Sequence, residues 1–161
     1  MRLFSIATLT LVASLAQAQA VPSIELTGPR GQTRTVTSAD LNAMTRREVT
    51  ANAHHVSGQF AGVSMAEVLR LVGAPQGDSL RGPALATYVI IEGADGYRAL
   101  FALAEFDAGF TDRIALLADR KDGAALTAKD GPFQLIVPGE KRPARWVRQV
   151  RRIRVVQLAS P

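Results

Sequence analysis

The 161-residue sequence contains no cysteine. That one absence excludes disulfides, thiolate metal ligands and a thiol nucleophile. Histidine is nearly absent too, with only the adjacent pair His54 and His55. A zinc site would have to draw on carboxylates. On a strand, neighbouring residues point to opposite faces, so the pair would not converge on one ion. No metal site is expected. No Gly-x-Ser-x-Gly elbow, phosphate loop or dinucleotide fingerprint occurs. Beyond the first twenty residues there are no repeats, no low-complexity blocks and no apolar run of membrane-spanning length.

What is present begins at the N-terminus. Arg2 is followed by a nearly continuous apolar run from Leu3 to Leu15, and then by Ala18-Gln19-Ala20. A positive start, a short apolar stretch and a small-x-small triplet together predict a secretory signal over residues 1–20. Cleavage after Ala18 fits the same pattern. Residues 21–161 would then form one domain, large enough to stand on hydrophobic burial alone. The signal holds one arginine and no acid, so its removal takes the formal charge from +5 to +4. A periplasmic or secreted protein is not expected to meet nucleic acid. Its basic surface points to an anionic small ligand or an acidic protein partner.

Frequent Gly, Pro and Asp predict short elements. Strands are expected at Ile24–Thr27 and Thr33–Thr37, followed by a short helix capped by Thr37 or Ser38 and running through Met44. Arg47–Val56 has strand character. Ser64-Met65-Ala66-Glu67 is a capping box that opens a helix, which Gly73 and Pro75 end. Residues 76–86 read as a surface loop. Tyr88–Glu92, Ile114–Ala118 and Phe133–Val137 read as buried strands. Asp95-Gly96 turns the first of them into a hairpin with Tyr97–Leu103. Ala104–Phe110 reads as a helical turn, and Asp122-Gly123 as another turn. The last strand spans roughly Arg151–Leu158. Many strands with few short helices predict an α+β fold with a mixed sheet.

The densest charged feature is Lys141, Arg142, Arg145, Arg148, Arg151, Arg152 and Arg154. Arginine forks suit phosphate and carboxylate. Lys141, Arg142 and Arg145 occupy a Pro/Gly loop at a strand end, where ligand sites concentrate. For Arg148–Arg154 a second reading stands beside this one: charge that blunts an exposed edge strand. Trp146, the single tryptophan, either closes the core or stacks on a flat ligand. One of His54 and His55 could line a cleft and exchange a proton there.

Three stretches, in order, resemble a known family. They are Phe60-Ala61-Gly62-Val63-Ser64-Met65-Ala66-Glu67-Val68-Leu69; Val89-Ile90-Ile91-Glu92-Gly93-Ala94-Asp95-Gly96-Tyr97-Arg98 with Leu103-Ala104-Glu105; and Ile114–Ala118 through Gly131–Gly139 to Trp146-Val147. Together they are similar to the sulfite oxidase-type molybdopterin-binding domain in its short exported bacterial form. The resemblance implies a mixed-sheet α+β fold of the sulfite-oxidase type. It implies molybdopterin as cofactor, with oxygen-atom transfer at molybdenum in catalytic relatives. It also implies that Lys141, Arg142 and Arg145 approach the pterin phosphate, with His54 and His55 nearby. Catalytic members hold the metal through a cysteine at a position that falls near Thr50, and this chain has none. Two functions follow as expectations. One is an exported molybdopterin-dependent oxidoreductase-like domain without the standard metal catalysis. The other is a non-catalytic periplasmic module binding an anionic ligand or a protein partner.

Overall fold

The computed structural model describes residues 21–159; the segment read as a signal, 1–20, lies outside the described residues. Strands β1 (Ser23–Thr27) and β2 (Thr33–Thr37) form the opening hairpin. Helix α1 (Ser38–Asn42) follows. Its cap is Thr37: the hydroxyl accepts from the Asp40 amide at 3.2 Å, and the Asp40 carboxylate accepts from the Thr37 amide at 2.8 Å. The helix ends two residues short of Met44.

Next come β3 (Arg46–Ala53) and β4 (Val56–Ser64), an antiparallel pair. The single strand expected from Arg47 to Val56 is therefore broken at its far end. His54 and His55 form the turn, and His54 takes a left-handed backbone with φ of 53°. Strand β4 itself was not expected. Ser57, Gly58, Gln59 and Gly62 give it a poor strand composition, but pairing with β3 and β7 on its two sides overrides local preference. Arg46 anchors the start of this hairpin by forking onto Asp119. Those hydrogen bonds outweigh partial burial and hold the guanidinium pKa above its ordinary value.

Helix α2 (Met65–Arg70) starts where the capping box put it, with the Ser64 hydroxyl accepting from the Glu67 amide at 3.2 Å. The 76–86 region contains two 3₁₀ turns, 77–79 and 82–86. Strands β5 (Thr87–Gly93) and β6 (Arg98–Ala102) form the predicted hairpin, and Leu103–Phe106 is a 3₁₀ turn. Then come β7 (Leu116–Lys121), the two-residue β8 (Ala124–Ala125), β9 (Gln134–Ile136), a 3₁₀ turn at Pro143–Arg145 and finally β10 (Val150–Gln157).

These strands make two five-stranded sheets. The first has the order β2-β1-β10-β5-β6; the second runs β3-β4-β7-β8, with β9 also on β7. The β1–β10 pair is parallel and the other pairs are antiparallel. Leu26, Val89, Ile91 and Ile153 from the first sheet share one buried core with Val63, Leu116, Leu117 and Leu135 from the second. The expected α+β, mixed-sheet architecture is present.

One expectation is overturned. The last strand is not an edge that charge protects; β10 lies between β1 and β5. Arg152 makes ion pairs across both neighbours, with Glu25 at 3.0 Å and Glu92 at 3.1 Å. Arginine here ties three strands together along one face of the sheet. The partners lie far away in sequence, which is why composition alone suggested an edge.

Candidate functional site

A cleft of about 500 Å³ opens where loops from both sheets meet. The tip of the β3–β4 hairpin contributes His55 and Val56. The β5–β6 turn contributes Asp95 and Tyr97, and the end of β7 contributes Lys121. Lys129 and Asp130 come from the loop before β9, and Pro143, Ala144, Trp146 and Arg148 from the segment before β10.

Its floor is aromatic. Phe60 and Trp146 are both buried and meet edge to face, ring centroids 5.9 Å apart. The indole Nε1 donates to the Val137 carbonyl at 3.0 Å, so the polar edge of Trp146 is satisfied inside the protein. Trp146 thus closes the core, and the little surface it keeps faces the cleft.

The rim is charged. Lys121, Lys129 and Arg148 bring positive charge; Asp95 and Asp130 bring negative charge. The acids already have local work. Asp95 accepts from the Tyr97 amide at 2.9 Å, and Asp130 accepts from the Thr127 hydroxyl at 3.1 Å. Arg148 stands 3.9 Å from Asp130, at the outer limit of an ion pair. Lys121 lies 5.5 Å from the centre of the Phe60 ring. Among the described residues neither Lys121 nor Lys129 makes an ion pair. Such a rim can hold an anion, and the floor can cover a flat apolar body.

Of the residues singled out from the sequence, His55 lines the cleft. His54 stands beside it at the turn, the two rings 3.8 Å apart and nearly perpendicular. They are turn residues, so the opposite-face argument made for a strand does not apply to them. Lys141 and Arg142 are exposed and outside the cleft lining. Arg145 is also outside the lining, paired with Glu105 at 3.1 Å and hydrogen-bonded to Glu140 at 2.7 Å. Partial burial works against its charge, yet these two carboxylates more than offset that and raise its pKa above the ordinary value. The structure therefore brings His55 to the cleft, with His54 beside it, and leaves the three basic loop residues outside the lining.

Lys121, Lys129, Asp95, Asp130 and Tyr97 were not anticipated as a site. Each sits in or beside a loop at a strand end, and that position was the available signal. Arg148 stands in the basic cluster read from the sequence, both as an anion-binding group and as a charged edge.

The cleft and the family cofactor fit in part. Unpaired ammonium groups over an aromatic floor suit an anionic pterin phosphate. A thiolate for the metal is a different matter. Thr50 is an exposed β3 residue paired with Gln59 and outside the cleft lining. The chain contains no cysteine and so has no thiolate to offer a molybdenum site. No three His, Asp or Glu side chains converge on a common point among the described residues.

Comparison with known proteins bears on the fold and the family. The structure is similar to the sulfane dehydrogenase SoxCD from Paracoccus pantotrophus, with a TM-score of 0.64 at 20% identity. The match covers 85% of this chain and 38% of that one, so the chain spans well under half of the larger enzyme. No curated protein matches it. The family model described as the oxidoreductase molybdopterin binding domain matches residues 18–161. The chain belongs to the oxidoreductase molybdopterin-binding domain family.

Proposed function

We propose that this is an exported domain whose cleft holds an anionic ligand of the pterin-phosphate class and which does not carry out thiolate-ligated molybdenum catalysis. The observation that carries the reading is the pair Lys121 and Lys129, without an ion-pair partner among the described residues, lining an aromatic-floored cleft in a chain without cysteine. Lys121, Lys129 and Arg148 would bind the anion. Phe60 and Trp146 would exclude water from beneath the ring. His55, at the mouth, is placed to hold or pass a proton. A bound molybdenum–pterin would supply oxygen-atom transfer chemistry; the residues here supply placement and charge.

A second reading rests on the exposed Lys141 and Arg142 beside the cleft. In that reading the domain is a non-catalytic periplasmic module that meets an acidic protein partner.

The test is metal and pterin analysis of protein purified from its native cell envelope, joined to titration with pterin-6-carboxylate. Stoichiometric molybdenum would sink the non-catalytic proposal. Absence of pterin, together with no binding of the probe, would sink the ligand proposal. Lys121→Ala/Lys129→Ala should weaken probe binding at least about tenfold, the scale of losing charged hydrogen bonds. Lys141→Ala/Arg142→Ala separates the flanking loop from the cleft. If it causes the larger loss, the ligand sits on the loop.

A further inference from the structure

The wall of the cleft formed by Pro143, Ala144 and Trp146 is tied down at three consecutive residues, each to a different part of the fold. The Tyr97 hydroxyl donates to the Ala144 carbonyl at 2.6 Å, linking it to the β5–β6 turn. Trp146 donates to the Val137 carbonyl just past β9. Between them, Arg145 binds the 3₁₀ turn at Leu103–Phe106 and its own loop at once. Nη2 donates to Glu105 Oε2 at 3.1 Å, and Nε donates to Glu140 Oε1 at 2.7 Å. The guanidinium carbon sits 4.2 Å from the centre of the Phe101 ring. Glu105 is itself held, its Oε1 accepting from the Ala102 amide at 3.0 Å. Arg113 approaches the same carboxylate at 4.0 Å. A planar fork can serve two carboxylates and stack on a ring together; a lysine ammonium cannot reproduce that geometry.

We propose that Arg145 is a positioning residue: with Glu105 and Glu140 it sets the seat of Pro143, Ala144 and Trp146 in the cleft wall, and through them the affinity of the cleft, without touching the ligand. This rests on the cleft being the ligand site, as proposed above. The competing role, a direct anion contact, makes the opposite prediction for Glu105. If Glu105 only occupies an arginine that the ligand needs, removing its charge frees Arg145 and tightens binding. If Glu105 holds the wall, removing its charge loosens it.

The experiment uses the full chain and pterin-6-carboxylate, followed through the emission of Trp146, the single tryptophan. Glu105→Gln and Arg145→Lys should each weaken binding by about tenfold, the range seen when groups behind a site are lost. The double variant should lose about as much as either single one, because both break one clamp. Tighter or unchanged binding in Glu105→Gln overturns the proposal. If the unaltered protein does not bind the probe, the ligand reading fails, and the clamp is judged on the free protein. Acrylamide quenching of Trp146 should then rise about twofold in either variant at unchanged far-ultraviolet circular dichroism, since a released wall opens locally. Unchanged quenching overturns the clamp. Should Arg145→Lys not fold, Glu105→Gln carries both measurements.

Discussion

Gly62 has almost no space around it. A Cβ built there would lie 2.2 Å from the Leu117 carbonyl oxygen, a backbone atom that cannot move aside. It sits where the β4–β7 register shifts, so the two strands touch at its α-carbon. Gly62→Ala is expected to destabilise the domain by about 3 kcal/mol, the upper part of the usual overpacking range, read from urea unfolding. A loss under about 0.5 kcal/mol, the level of an ordinary surface change, would show that the strands can part here. Residue roles were legible from sequence where they depend on neighbours in the chain, as with the Ser64 cap. They were hidden where the partner is remote. The sequence offers Arg145 as a ligand group and says nothing of its partner Glu105, forty residues away. Arg152 reads as edge protection until Glu25 is paired with it. No local pattern encodes either pairing.

Among the elements, Tyr88–Glu92, Ile114–Ala118 and Phe133–Val137 were visible as strands because each is a short apolar run between turn signals. The structure places β5, β7 and β9 over them with shifted ends. Strand β4 was invisible for the opposite reason. Its outer half is polar and glycine-bearing, and neighbours on both sides make it a strand. Strand β10 was found, but its place was not: an Arg-rich sequence conceals a central strand whose buried face is Val150, Ile153 and Val155. Because Ile153 is paired to Leu26 and to Ile91, its truncation removes packing from three strands. Ile153→Ala should therefore cost about 3–4 kcal/mol, within the range for large-to-small changes in a core. The check is the denaturation midpoint, with the slope unchanged. A cost below about 1 kcal/mol would mean that β10 behaves as an edge after all.

For the whole molecule, the family and the fold class were legible because the order of several weak motifs survives across most of the chain. The cleft was not legible as a unit, since it is assembled from four loops and the ends of strands that only the meeting of the sheets brings together. Export belongs to this scale too. If residues 1–20 are a signal, protein recovered from the cell envelope should begin at Val21, or at Gln19 for the alternative cut. Mass spectrometry of the intact chain decides this, and an uncut Met1 terminus would remove the case for secretion. The parallel pairing of β1 with β10 has a consequence of its own. Glu25 stands opposite Arg152, so the first strand of the domain takes its inner neighbour from the last. On a ribosome, or in a narrow channel, β1 can find only β2 until β10 emerges. The β1–β2 and β5–β6 hairpins of the first sheet are joined only through β10. Closure of that sheet waits for β10 to emerge.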